Sequence, residues 1–443
     1  MSDLSTPTPQ CGLSPSTKPR PKCTLPHEKV FSIQIGTELF RLSGASIASD
    51  APSYFSQFFE EQMRQSGDGA NIRTLYIDRD PTTFKAIARH LQGYHVRPKN
   101  GTEFVQYFAD AQFYSLPRLI SQLFESEIFI QIGDIDFQIP RDIFSGPGDS
   151  PNFFSLGFGA FFASPAEVFP GLDRHGLLRP PAITPPGVPN RSGAVFAQLL
   201  HLLRGYPLDI KNETHRAELL RDCRYFHLRG LEQKLIAHHI SFNPIRQRSE
   251  IIIRLEDVRR SGVHVAYHGS NPYSGWVVYS RPFNDEDPHD LIVEIGDETT
   301  IVDLSTMHVE FLKSTRARFS SLLQIVSGKV ALPNIAEDLS VSHSVKVYIE
   351  RDTDLTVDGE TRYLEKFGYG PDQTDPSQPA AKRRRVEGPS NDAEKYIVRN
   401  GHWRLRFQPN ATGDRLDFTL VAVKLDAYTE QRSRNQTRAF LAS

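Results

Sequence analysis

The residue run best suited to chemistry by type and spacing is a compact cationic cluster, Lys382-Arg383-Arg384-Arg385, preceded by Pro379 and closed by Val386-Glu387. Four cations in an exposed, extended segment suit the acidic grooves of nuclear import receptors. The cluster is therefore expected to be a nuclear import signal, with an import receptor as a partner. It lies in a polar stretch, Gly370 to Asp392, broken by Pro371, Pro376, Pro379 and Pro389, which reads as a loop without a packed core of its own. Metal chemistry has weaker material. Cys223 and His227 stand at i and i+4 with no second pair, which reads as a core cysteine beside a surface histidine. His238 and His239, taken as helical, would point about 100° apart and could not face one ion. Neither a metal nor a cofactor is expected.

Catalytic signatures are missing from the sequence. It contains no Gly-x-Ser-x-Gly elbow, no phosphate loop ending in Gly-Lys-Ser/Thr, no His-Glu-x-x-His and no glycine-rich dinucleotide turn. The expectation is a protein that is not an enzyme. Lys and Arg number 51 and Asp and Glu 53, a net charge of −2, so no global field draws the chain to nucleic acid or an anionic membrane. Arg246, Arg248, Arg254, Arg259 and Arg260 are offset by Glu250, Glu256 and Asp257, and Arg404 and Arg406 follow Trp403. These read as solvated faces, and nucleic acid is not an expected partner. The three cysteines make neither a disulfide framework nor a zinc set. Met1 to Pro26 has no apolar run, and no stretch of about 18 apolar residues occurs, so neither a signal peptide nor a membrane span is expected. The nucleus is the expected location and the cytoplasm the alternative.

The elements that must position any functional surface come in a repeat. Phe31-Ser32-Ile33-Gln34-Ile35-Gly36 alternates apolar and polar residues and is followed by Phe40-Arg41-Leu42, which predicts a β-hairpin. Ile128 to Gly133 and Phe137-Gln138-Ile139 repeat it, with Gly36 and Gly133 at an offset of 97. Asp50-Ala51-Pro52-Ser53-Tyr54-Phe55 is answered by Asp149-Ser150-Pro151-Asn152-Phe153-Phe154, at an offset of 99. Phe84, Ile87, Ala88 and Leu91 form one helical face ending in Gly93-Tyr94. Phe196, Leu199, Leu200 and Leu203 form another ending in Gly205-Tyr206, at an offset of 112. Phe113 to Leu119 and Tyr225 to Leu231 keep that offset. The jump reflects an insertion at about 163–189, where seven prolines exclude helix and central strand. Before the first Phe84-type helix stands Asp78-Arg79-Asp80-Pro81, where Asp80 can cap the first-turn amides and Pro81 suits the first helical position.

The first copy resembles the BTB/POZ domain of the potassium-channel-tetramerisation type. The likeness rests on the opening strand with Gly36 and Phe40, on Pro52-Ser53-Tyr54-Phe55, and on Tyr76-Ile77-Asp78-Arg79-Asp80-Pro81. It is completed by the Phe84–Leu91 helix and the closing Phe113-Tyr114-Ser115-Leu116. The second copy keeps the frame with Pro189-Asn190-Arg191-Ser192-Gly193 in place of the Asp-Arg-Asp-Pro element, and Thr37 replaces a glycine of the family pattern. The resemblance implies a small sheet on a helical cluster, protein–protein binding and homo-oligomerisation. It also implies that Asp78, Arg79, Asp80, Pro81, Phe113 and Tyr114 lie near an interface. From Ile251 onward, short β-branched and aromatic runs separated by turns predict a β-rich region with one helix at about 310–325.

The expected architecture is thus α+β: a disordered tail over 1–28, BTB/POZ-like domains over 29–126 and 127–245, and a β-rich domain over 246–443 with a loop at about 370–392. The expected function is a non-enzymatic, nuclear and regulatory interaction scaffold, with self-association expected, similar to fungal BTB scaffold proteins. A substrate adaptor with a cullin as partner and a cytoplasmic stress-signalling scaffold are the alternatives.

Overall fold

A computed structural model describes residues 23–66, 72–125, 127–157, 186–268, 273–330, 345–362, 395–410 and 415–438. The chain divides into two compact units, Met1–His227 and Leu228–Ser443.

In the first unit, β1 (Val30–Ile35) pairs antiparallel with β2 (Glu38–Ser43). Alternation puts Phe31, Ile33 and Ile35 into the core. Gly36 makes the turn at φ +54°, and its amide donates to the Ile77 carbonyl at 2.9 Å. A Cβ there would stand 3.0 Å from the Arg79 carbonyl oxygen, so glycine is needed for both conformation and space. α1 (Gly44–Ala48) and α2 (Tyr54–Ser66) lead to β3 (Leu75–Ile77), which lies parallel to β1. α3 (Pro81–Leu91), α4 (Gly101–Phe113) and α5 (Pro117–Glu125) follow. Phe55, Phe84 and Tyr114 meet as three rings at 4.8–5.8 Å between centroids, fully buried beneath the sheet.

The same arrangement returns. β4 (Ile128–Ile132) pairs antiparallel with β5 (Ile135–Ile139) and parallel with β6 (Gly187–Val188). Gly133 turns at φ +60° and donates to the Val188 carbonyl at 2.9 Å. A 3-10 turn, Arg141–Phe144, precedes α6 (Gly193–Leu203) and α7 (Glu213–Phe226). Phe154, Phe196 and Phe226 meet at 4.9–5.3 Å, the counterparts of the first ring cluster. The proline-rich stretch at 163–189, read as unable to form helix or central strand, ends in a short edge strand. Gly187 and Val188 both carry an amide proton, and Pro186 needs only its carbonyl, which accepts from Gln131 N at 3.1 Å.

The second unit opens with α8 (Arg229–Leu235) and β7 (His238–Asn243). β7 pairs with β8 (Arg248–Arg254), so the β-rich region starts before residue 246, where the sequence reading placed its boundary. His238 and His239 therefore lie on a strand, not a helix, and point to opposite faces. β9 (Val263–Tyr267), β10 (Gly275–Tyr279), β11 (His289–Ile295), β12 (Thr300–Asp303) and β13 (His308–Phe311) follow. α9 spans Lys313–Lys329, later than expected, because Glu310 and Phe311 pair with β12. β14 (Val345–Val357), β15 (Glu360–Thr361), β16 (Lys395–Pro409), β17 (Leu416–Tyr428) and α10 (Gln431–Gln436) complete the unit. β16 pairs with β17 along its length. On its other edge it meets first β12, then β11, then β10. Strands β12, β13, β14, β17 and β16 thus close on one another, and β10, β11, β8 and β7 extend from the same long strand.

Trp403 sits at the heart of that sheet, fully buried. It requires Gly401, where a Cβ would stand 2.4 Å from the indole nitrogen. Gly401→Ala is therefore expected to cost about 1–3 kcal/mol, the usual range for overpacking a core. Urea unfolding followed by tryptophan fluorescence checks this, Trp403 being one of two tryptophans.

Candidate protein-interaction site

Asp80 is the N-cap of α3. Its carboxylate accepts from Thr82 N (3.2 Å) and Thr83 N (2.8 Å), and Pro81 occupies the first helical position. Burial alone would raise the Asp80 pKa, but the hydrogen bonds from Thr83 and Thr82 outweigh it and hold it below the usual value. Arg79, one residue earlier, turns inward. Its guanidinium pairs with Asp110 of α4, whose side chain is 4% exposed, and lies 5.1 Å from the centroid of the Phe113 ring. Burial is also the main cause that lowers the Arg79 pKa and that raises the hydroxyl of the neighbouring Tyr114. Of the six residues expected near an interface, Arg79 and Tyr114 serve the interior of their own domain. Asp78 and Asp80 are exposed, Asp80 as the cap of α3, and Pro81 and Phe113 are half-buried.

Residues 191–225 form a similar corner from different residues. Arg191 pairs with Asp222 of α7 at 3.3 Å and lies 4.2 Å from the Tyr225 ring centroid, and Ser192 caps α6 through Val195 N. Asp110 and Asp222 escaped the sequence reading, although their common offset of 112 with Arg79 and Arg191 was the available signal. Asp50 also went unassigned. Fully buried, it accepts from Arg118 N (2.7 Å) and Leu119 N (3.0 Å) at the start of α5 and lies 2.9 Å from His90 Nε2.

Several large side chains face solvent above this framework. The outer face of the first sheet carries Val30, Leu39 and Tyr76, and register places Gln34 between Leu39 and Tyr76. Tyr94 and Tyr206, each after a left-handed glycine, stand exposed beside Arg89 and His201 of the preceding helices.

In the second unit a cleft of about 490 Å³ contains His264, Ser280 and Asp290 among its lining residues. Ser280 Oγ lies 3.2 Å from His264 Nε2. Among the described residues no carboxylate orients His264, and burial, with the charge of Lys329, lowers its pKa. Asp290 is engaged by Arg248 (3.4 Å) and Arg404 (3.7 Å), and Arg404 stacks on Trp276 at 3.9 Å. A larger cleft of about 820 Å³ holds Arg254, Arg318 and Arg399, each paired with a carboxylate. Cys223 is buried in α7, while His227 is exposed at its left-handed C-cap, so the two do not form a ligand pair. Lys382, Arg383, Arg384 and Arg385 lie outside the described residues. Among the described residues no helix is long and apolar enough to cross a membrane.

Residues 31–124 match the family profile of the BTB/POZ domain. The uncharacterized protein YDR132C of Saccharomyces cerevisiae is 33% identical over 352 residues, covering 67% of this chain and 70% of that protein. The BTB/POZ domain-containing protein YLR108C of the same yeast is 35% identical over 242 residues, covering 54% of this chain and 47% of that protein.

Arg79→Ala would strand the buried Asp110 carboxylate and is expected to cost about 3–5 kcal/mol, while replacing both partners with apolar residues of similar volume costs far less. Chemical denaturation of both variants checks this. A loss below about 1 kcal/mol for Arg79→Ala would contradict it.

Proposed function

This chain belongs to the BTB/POZ-domain family of the potassium-channel-tetramerisation type, and we propose that it works as a non-enzymatic scaffold that binds other proteins through two copies of that fold. The observation that carries the reading is the BTB/POZ domain over residues 31–124, a module that mediates protein interaction and oligomerisation. We read residues 127–227 as a second, diverged copy. In its favour are the hairpin with a parallel third strand, the two turn glycines, the two three-ring clusters and the two inward Arg–Asp pairs. The mechanism is surface complementarity, with exposed aromatic side chains such as Tyr76, Tyr94 and Tyr206 as anchors. In the two clefts described in the second unit, Arg248 is paired with Asp290 and Arg254, Arg318 and Arg399 are each paired with a carboxylate, which favours binding over acid–base chemistry there.

The scaffold acts in the nucleus on this reading, since Lys382-Arg383-Arg384-Arg385 supplies the compact cationic cluster that import receptors bind.

Affinity purification of the tagged full-length chain from its native cells, followed by mass spectrometry, tests both statements. The expected result is a set of partner proteins enriched over an untagged control. An import receptor should be among them and lost when Lys382, Arg383 and Arg384 are changed to Ala. An eluate indistinguishable from the control contradicts the scaffold reading, and an import receptor retained by the triple variant contradicts the nuclear one.

A further inference from the structure

A carboxylate buried in a sheet needs a donor for each oxygen, and Asp290 lacks one. It stands on β11, is 5% exposed and lines the cleft of about 490 Å³ in the second unit. Its Oδ1 receives Arg248 at 3.4 Å. Its Oδ2 makes no hydrogen bond among the described residues, and Arg404 approaches that oxygen only to 3.7 Å. Both distances exceed the roughly 2.7–2.9 Å of a charge-assisted hydrogen bond. Arg404 also stacks on Trp276 and is drawn toward Glu350 and Glu250. An under-partnered buried carboxylate destabilises the fold that holds it, and folds retain such groups where they serve function.

The surroundings of Asp290 define the group that would complete it. Register sets Asp290 opposite Val278 of β10, and these two buried side chains place an acceptor beside apolar surface in the cleft. Val265 and Ala266 of β9 continue the apolar lining, and Ser280 adds a hydroxyl. Negative charge is in excess. Arg246, Arg248 and Arg404 balance Glu250, Asp290 and Glu350. That leaves Glu286, an exposed residue of the lining, without an ion pair among the described residues. Among the described residues β9 pairs with β10 and no other strand, and three of its consecutive residues, His264 to Ala266, line the cleft. An extended peptide can add to such an edge through main-chain hydrogen bonds.

We infer that this cleft receives a lysine side chain from an extended segment of a partner protein. The methylenes of that side chain lie along Val278, Val265 and Ala266, and its ammonium meets Asp290 Oδ2. Glu286 supplies the uncompensated negative charge at the mouth. A single open oxygen suits a compact ammonium, whereas the flat fork of a guanidinium is matched to two. The cleft volume is that of a small-ligand site, which leaves room for the backbone that carries the lysine. This binding belongs to the second unit and goes beyond the scaffold reading, which rests on residues 31–124.

An array of random short peptides with one fixed central residue (lysine, arginine, acetyl-lysine or norleucine), probed with the purified full-length chain, tests this. Calorimetric titration of the tightest lysine peptide follows. Replacing its lysine by any of the other three is expected to weaken binding about tenfold or more, the scale of one hydrogen bond to a charged group. Asp290→Asn is expected to do the same, and circular dichroism verifies that this variant stays folded. Glu286→Lys, at an exposed position that leaves the core untouched, is expected to weaken binding about threefold or more. No retention of lysine peptides, an arginine or norleucine peptide that binds as tightly, or unchanged binding by a folded Asp290→Asn chain or by Glu286→Lys overturns the inference. So does binding that emerges only when Lys382, Arg383, Arg384 and Arg385 are changed to Ala, which would seat the chain's own cluster in the cleft. Each of these results leaves the scaffold reading in place, because partner proteins held through residues 31–124 are read by the affinity purification.

Discussion

A guanidinium taken out of water must find an anion with good geometry, or the fold that buries it loses several kcal/mol. Arg79 meets that demand with Asp110, and Phe113 closes over the pair. The consequence is architectural. Arg79 leaves the end of β3, Asp80 immediately caps α3, and Asp110 sits in the last turns of α4, so one ion pair fixes a strand, a helix start and a second helix relative to one another. Asp50 fastens the remaining corner by accepting the first amides of α5. Between these polar ties lie Phe55, Phe84 and Tyr114, whose ring contacts fill the space that the ties define. Polar groups set the angles and apolar groups supply most of the driving force.

Residues 127–227, which we read as a second copy, indicate which parts of that scheme tolerate change. Phe226 stands for Tyr114 and Tyr225 for Phe113, so ring shape is kept while hydroxyls move. Ser192 stands for Asp80 as the cap, an exchange that helix starts accept readily. The Arg–Asp pair is kept in kind. What varies is the set of side chains turned away from this framework, where Ser32 gives way to Phe129 and the buried Phe104 to the half-buried Arg216. That is the pattern expected if the inner framework serves folding and the outer faces serve different neighbours.

Much of this was legible in the residues. Alternation in Phe31–Ile35 and Ile128–Ile132 gave both hairpins, and Phe84-Ile87-Ala88-Leu91 gave the helix over the first sheet, because period and burial coincide there. The Asp-Arg-Asp-Pro element seemed lost from the second copy because its letters changed, while Arg191 and Ser192 still occupy the corner. β6 was hidden by the prolines before it, since composition cannot reveal that two residues suffice for a strand pairing. β7 was missed for a related reason: its partner β8, not its own pattern, makes His238–Asn243 a strand. Asp50 was invisible as a tie, because a buried carboxylate is recognised by its partners, here as much as 69 residues away.

The central claim is that residues 127–227 repeat the fold of residues 30–125, down to the turn glycine whose amide is held by the third strand. Native-state hydrogen exchange on the full-length chain reads this at two atoms. The account predicts that the Gly36 and Gly133 amides, bonded to the carbonyls of Ile77 and Val188, are both strongly protected. Protection at Gly36 with free exchange at Gly133 would mean that the second copy lacks the third strand and would contradict it.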